Sequence, residues 1–194
     1  MRTLAQRLGS GTATLYRHFD NRAALVAKLV DHVLGEAVRD AGDLSRMRWE
    51  AACRTHAHAV FEALCRHRKL APLLADHVPV GANAMALREA AIAALLDDGF
   101  SSRLAARSFV TVARYVLGFV IQASSDVGAR GVDPAHASAF FRGLDRSRYP
   151  ATISVAELLP EPIEEEFSFG LDLIIVGLKQ ARRKERKASA SGGR

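Results

Sequence analysis

The sequence predicts an all-α protein, with a helix-turn-helix at the N-terminus followed by a larger helical body. Three observations predict this class. Apolar residues recur at three- and four-residue spacing in segment after segment, and no segment alternates with the period of two that a strand requires. Two short helical stretches flank Gly9-Ser10-Gly11, a run whose glycines favour a tight turn. The stretch from Phe109 to Ile121 is apolar on almost every side, so its helix must be covered on both faces.

Taken in order, Leu4, Ala5 and Leu8 share one face of the first short helix. The second has Gly11 or Thr12 near its N-cap and Leu15, Tyr16 and Phe19 at helical spacing. A longer helix runs from Asn21 to about Ala41, capped by Asp20 or Asn21. Its apolar stripe is Leu25, Leu29, Val33 or His32, and Val38, and Gly42 ends it. Trp49 to Arg68 is a second long pattern, with Ala52, Cys53, Val60, Phe61 and Leu64 apolar. Leu70 to Ala75 is a short helical turn bounded by Pro72 and Pro79. Ala84 to Leu96 is helical and stopped by Asp97-Asp98-Gly99, with Gly99 at the C′ position. Ser101 caps the next helix, to about Ser125. Residues 126 to 162 are punctuated by glycine and proline. Only Pro134 to Leu144 reads as helix there, in a long and partly mobile connection. Four glutamates, Glu161 and Glu164 to Glu166, stand at the start of a last helix and Lys179 to Lys187 near its end, both on the side the macrodipole favours. The final ASASGGR reads as disordered.

The net charge of +6 is misleading as a whole-chain figure. Residues 179 to 194 hold seven Lys or Arg against Glu185 and account for all of it. The local excess in residues 1 to 22, four Arg against Asp20, is the better sign of a polyanion-facing surface. Two cysteines, Cys53 and Cys65, make no disulfide framework. No run of eighteen apolar residues is free of charge and no signal peptide opens the chain, so a cytoplasmic protein with no membrane partner is expected. No nucleophile–base–acid set, phosphate loop or metal motif stands out, so no enzyme is expected.

The head carries the chemistry. Thr12, Ala13 and Thr14 open the second helix with small and hydroxyl-bearing groups that can reach base edges. Tyr16 and His18 follow one turn on, and Arg2, Arg7, Arg17 and Arg22 flank the unit. Spacing alone leaves an ordinary helical hairpin with solvated arginines equally open.

The residues themselves go further. LAQRLG followed by TLYRHFDNRAAL resembles the DNA-binding unit of the tetracycline-repressor family. Ser10 stands where that family usually has Val, Gly11 where a Ser often caps, and Arg22 where Lys is usual. The resemblance implies that Arg2 and Thr12 to Tyr16 face the major groove. It implies that Tyr16, His18 and Arg22 hold the phosphate backbone, over a small core of Leu8, Leu15 and Phe19. Family members carry a further helix upstream, and Met1 stands at the start of what would be their second, so the first helix is expected to be missing here.

FSFGLDLIIVGLKQ, Phe167 to Gln180, resembles the closing helix of the same family, which forms a four-helix bundle across a two-fold axis with the helix two before it, here Arg103 to Gln122. The resemblance implies a homodimer with Leu117, Ile121, Phe167, Gly170, Leu171, Ile174, Gly177 and Leu178 at the interface. Gly170 and Gly177 lie seven apart and would let backbones approach; packing within one chain is the alternative. The resemblance also places an effector pocket at His56, Val60, Ala91, Ile92, Phe109, Ala113 and Gln122. Leu74 and Gln122 fall where family members hold magnesium, so the metal-assisted drug site is not reproduced and no cofactor is expected. Cys53 and His56 share a helix face, but with no second Cys–His pair at ligand spacing they read as a buried thiol and a pocket histidine. Arg88 and Arg114 could meet an acidic ligand or simply be solvated.

The expected organisation is a head and connecting helix over residues 1–42, a ligand-binding and dimerisation body over 46–187, and a disordered tail over 188–194. The expected function is a ligand-responsive regulator, a repressor released from a palindromic double-stranded operator by a small hydrophobic effector. The alternative is a dimeric small-molecule-binding protein that no longer binds DNA because its first helix is missing.

Overall fold

The computed structural model describes residues 2–7, 9, 11–74, 78–124, 134–159 and 161–191, and these are helical throughout their regular elements, with no strand among them. The head is α1 (Arg2–Arg7) and α2 (Thr12–His18), packed on each other. Gly9 makes the turn at φ +60, a conformation that suits glycine. Gly11 rather than Thr12 flanks α2, its carbonyl accepting from the Thr14 amide at 3.0 Å. Ala5 is buried and Phe19 half-buried; Leu8 and the Leu15 side chain lie outside the described residues.

Helix α3 (Arg22–Ala41) is capped by Asn21, whose Oδ1 accepts from the Ala24 amide at 2.8 Å, and ends at Gly42 at φ +64. Its buried face differs from the expected stripe. Leu29 and His32 are exposed, and Val30, Val33, Leu34, Gly35, Ala37 and Ala41 face inward. Small residues set this phase, because α3 packs on two helices, α4 (Trp49–Arg66) and α6 (Ala82–Asp97). Between α4 and α6 lie a 3₁₀ turn (Arg68–Leu70) and α5 (Ala71–Leu74).

One aspartate joins α3 to α6. Asp31 Oδ1 accepts from the Ala84 amide at 3.0 Å, and Asn83 Nδ2 donates to the Asp31 carbonyl at 3.0 Å and to Oδ2 at 3.2 Å. These bonds satisfy part of the α6 N-terminus. Gly81 lies so close to the Asp31 side chain that any Cβ there would collide with it.

Gly99 (φ +82) turns the chain into α7 (Ser102–Ser124), whose Leu104 amide is capped by Ser101 Oγ at 3.1 Å. By length and composition α7 could cross a membrane. In this fold it is the central helix of the body, packed on α4, α5, α6 and the closing helix. After α8 (Pro134–Arg142) comes a short helix that the sequence did not predict, α9 (Pro150–Ser154), with Pro150 in its first turn. Part of the expected mobile connection, residues 126–133 and 160, lies outside the described residues. The closing helix α10 runs from Ile163 to Ser191, past the expected start of a disordered tail at residue 188.

Where α6 gives way to α7, Asp98 holds three elements together. Its Oδ2 accepts from the Trp49 amide at 3.1 Å, and its carbonyl and Oδ1 accept from Arg182 Nη1 at 2.7 and 3.0 Å. Beside it Trp49 meets Phe100 edge to face at 4.9 Å.

Candidate functional site

A cavity of about 680 Å3 opens between α4, α6 and α7, a size usual for small-molecule sites. Each helix contributes neighbours at helical spacing, so one face of each points inward. From α4 come Trp49, Cys53, His56 and Val60; from α6, Leu87, Arg88, Ala91 and Ile92; from α7, Phe109, Val112, Ala113 and Leu117. Arg114 of α7, Leu34 of α3, Leu74 of α5, Pro79 and Leu178 of α10 are also part of the wall. Six of the seven residues expected to line a pocket, His56, Val60, Ala91, Ile92, Phe109 and Ala113, are thus brought together. Gln122 is not: it is exposed beyond the end of the wall, which on α7 stops at Leu117. Trp49 and Leu34 were missed, because nothing in an apolar residue at a helix start or on a long stripe marks which neighbour it will face.

Two polar atoms of the wall, His56 Nδ1 and Trp49 Nε1, are buried with no hydrogen-bond partner. Native structures seldom leave such groups unmet, and a bound molecule is one way to meet them. Burial drops the His56 pKa to about 4, so the ring is neutral at pH 7. Burial likewise pushes the Cys53 thiol up to about 11, so it stays protonated and is a poor metal ligand. Among the described residues no three His, Cys, Asp or Glu side chains converge as a metal site.

The histidine makes stability pH-dependent. Its folded pKa lies below the ordinary value of 6.5, so between about pH 6.5 and 4 the unfolded chain binds the proton that the folded chain refuses. Stability from this group is full above pH 6.5 and is lost as pH falls, by on the order of 3 kcal/mol near pH 4. Urea titrations at pH 7.5 and 4.5 should show His56→Leu losing less stability than the parent over that interval. Equal losses would mean that the ring is solvated.

In the head, Thr12 and Thr14 are half-buried and Ala13, Tyr16, His18 and Arg22 exposed, with Tyr16 at 51%. The Arg2 side chain lies outside the described residues. The polar groups of Tyr16, Arg17, His18 and Arg22 make no hydrogen bond or ion pair within the described residues, so all are free for a partner. Apart from Arg2, which belongs to α1, the residues expected to meet DNA therefore lie on or beside one short helix, and the polar groups of Tyr16, His18 and Arg22 are unspent among the described residues.

The expected dimer residues divide. Phe167 and Leu171 are fully buried in the chain's own core, where Phe167 stacks on Phe61 at 4.2 Å and also touches His58, Tyr115 and Phe119. They cannot also face a partner. Gly170 makes room for Tyr115, whose hydroxyl donates to the Phe167 carbonyl at 2.7 Å, so its reason is also internal. Leu117, Ile121, Ile174 and Leu178 are half-buried at the edge of the core. Gly177 alone stands exposed with nothing near it. The open apolar stripe of α10 is instead Phe169, Leu173 and Val176, exposed by 64, 58 and 54%.

Residues 41–182 match the family model described as the tetracyclin repressor-like C-terminal domain. The chain is 30% identical over 186 residues to the class A tetracycline repressor protein from transposon 1721 of Escherichia coli, covering 93% of this chain and 81% of that protein. It is 26% identical over 198 residues to the HTH-type transcriptional repressor DrrR1 of Streptomyces coeruleorubidus, covering 98% and 73%. Among solved structures it superposes on ActR, a Streptomyces coelicolor protein of the same family crystallised with actinorhodin. That superposition has a TM-score of 0.80 and 28% identity, over 94% of this chain and 87% of that one. Such regulators are as a rule not enzymes. A matching body, a head with unspent donors on its second helix and relatives that are repressors over nearly the whole length lead to one conclusion: the chain belongs to the tetracycline-repressor family and is a ligand-responsive transcriptional repressor.

Proposed function

We propose that this chain works in the cytoplasm as a homodimer, holding a palindromic operator through two copies of α2 and releasing it when a small, largely hydrophobic effector fills the cavity between α4, α6 and α7. The observation that carries this reading is a shared wall: Leu34 lines the cavity and belongs to α3, the helix that continues directly from the reading head. Asp31, one turn closer to the head, is bonded to the N-terminus of α6, which supplies a second wall. An effector that moves α6 therefore moves α3, and the spacing of the two heads decides whether both reach adjacent major grooves. The exposed stripe Phe169, Leu173 and Val176 supports a partner face on α10. ActR with its bound actinorhodin supports a small-molecule effector for this chain.

The test is a mobility shift at fixed salt on promoter DNA flanking the chain's own reading frame, with parent and Tyr16→Ala. The variant should lose on the order of 1–3 kcal/mol of binding while remaining a dimer. Parent protein that leaves the DNA unshifted at low salt would overturn the operator reading.

A further inference from the structure

The cavity carries a charge that its occupant must answer. Arg88 and Arg114 both line it, and among the described residues no Asp or Glu does. Neither arginine has an ion-pair partner there, whereas Arg182, the partly buried arginine farther along α10, is paired with Asp98 at 3.0 Å. Arg88 is half-buried, with Cζ 5.7 Å from the centroid of the Phe109 ring, itself part of the wall. Its Nη1 donates to Met85 Sδ at 3.0 Å and its Nη2 to the Pro79 carbonyl at 3.2 Å. A guanidinium has five N–H donors in a fixed fork, so most of the fork is still unspent. Trp49 Nε1, which can only donate, lies unpartnered in the same wall. A largely apolar cavity with cations and spare donors, and with no carboxylate among the described residues of its wall, is complementary to an acceptor-rich anion.

We infer that the effector is an organic anion, an apolar body bearing one carboxylate or ionised phenol that Arg88 clamps while the body lies against Phe109 and the alanines Ala91 and Ala113. This rests on the effector-cavity reading above and adds to it the chemical class of the ligand. Arg88 is positioned for the role because Phe109 holds one face of the guanidinium and the Pro79 carbonyl one edge, so little side-chain freedom remains to be lost on binding.

The probes are 2-naphthoate and 2-naphthamide, which share a ring system and differ in charge. Each is titrated into the whole chain by calorimetry, with the fluorescence of Trp49, the only tryptophan, reporting occupancy of the cavity. Naphthoate should bind roughly tenfold to a hundredfold tighter than the amide, the range for a charge-assisted hydrogen bond. Arg88→Gln should abolish the preference for naphthoate over the amide, and Arg88→Lys should keep part of it. If Arg88→Gln does not fold, the two parent affinities decide alone. Amide binding as tight as naphthoate, with Trp49 responding to both, would overturn the anion and leave the cavity standing. No heat and no Trp49 response from either probe at millimolar concentration would overturn the cavity reading and this inference with it.

Discussion

Phe167→Ala removes about 3–5 kcal/mol from the stability of the folded chain, the cost of an aromatic core truncation. The ring is fully buried and sits where three helices meet. It stacks on Phe61 of α4 at 4.2 Å with planes 10° apart, and packs against Tyr115 and Phe119 of α7 at 5.4 and 5.6 Å. The rings around it are large and mutually wedged, so the hole closes poorly. The Tyr115 hydroxyl, bonded to the Phe167 carbonyl, keeps α7 from shifting inward to fill it. A domain with about 5–15 kcal/mol in hand loses a large share of it. Urea unfolding followed by circular dichroism should show a lower midpoint with a similar slope, and size-exclusion chromatography in buffer should show an unchanged oligomer. An unchanged midpoint together with a dissociated oligomer would return Phe167 to the surface between subunits.

That contrast shows what could be read from the chain and what could not. Helical periodicity identified every long helix, and the glycines at 9, 42 and 99 marked three turns that the backbone makes at positive φ. Periodicity did not say which stripe faces which neighbour. In α10 the residues Phe167, Leu171, Ile174 and Leu178 form one apolar row, and Phe169, Leu173 and Val176 form another beside it. A helix apolar on two sides looks the same whether the first row meets its own chain or a second one. In α3 the leucines suggested one face and the small residues Gly35, Ala37 and Ala41 fixed another, since a close helix–helix approach leaves no hydrophobic signal. The cavity was legible only through resemblance. Pairs such as His56 with Val60 and Phe109 with Ala113, each four apart, look like any amphipathic face until three helices are brought around one space. Gln122 fell out because α7 passes beyond that space after Leu117. In the head the structure leaves Tyr16, His18 and Arg22 exposed, with no hydrogen bond or ion pair among the described residues, which is what the expected DNA contacts require.

On the proposed homodimer, Leu173→Glu should give a monomer without unfolding it, weakening association by roughly two orders of magnitude or more. Leu173 is 58% exposed at the middle of the α10 stripe, between Phe169 and Val176. An exposed apolar patch of this kind marks a surface made to be covered. Under a two-fold axis the same patch meets itself, so a single substitution places two carboxylates in one interface. Each would be buried without a cation, at several kcal/mol for an unpaired charge. The folded core is spared, because Leu173 points away from the Phe61–Phe167 stack and the side chain is already largely solvated in one protomer. Sedimentation at micromolar concentration should find a monomer with the parent's circular dichroism. The mobility shift on operator DNA should collapse to weak, salt-sensitive binding, since one head grips one half-site only. A dimer of parental stability in the Leu173→Glu variant would move the two-fold contact off α10.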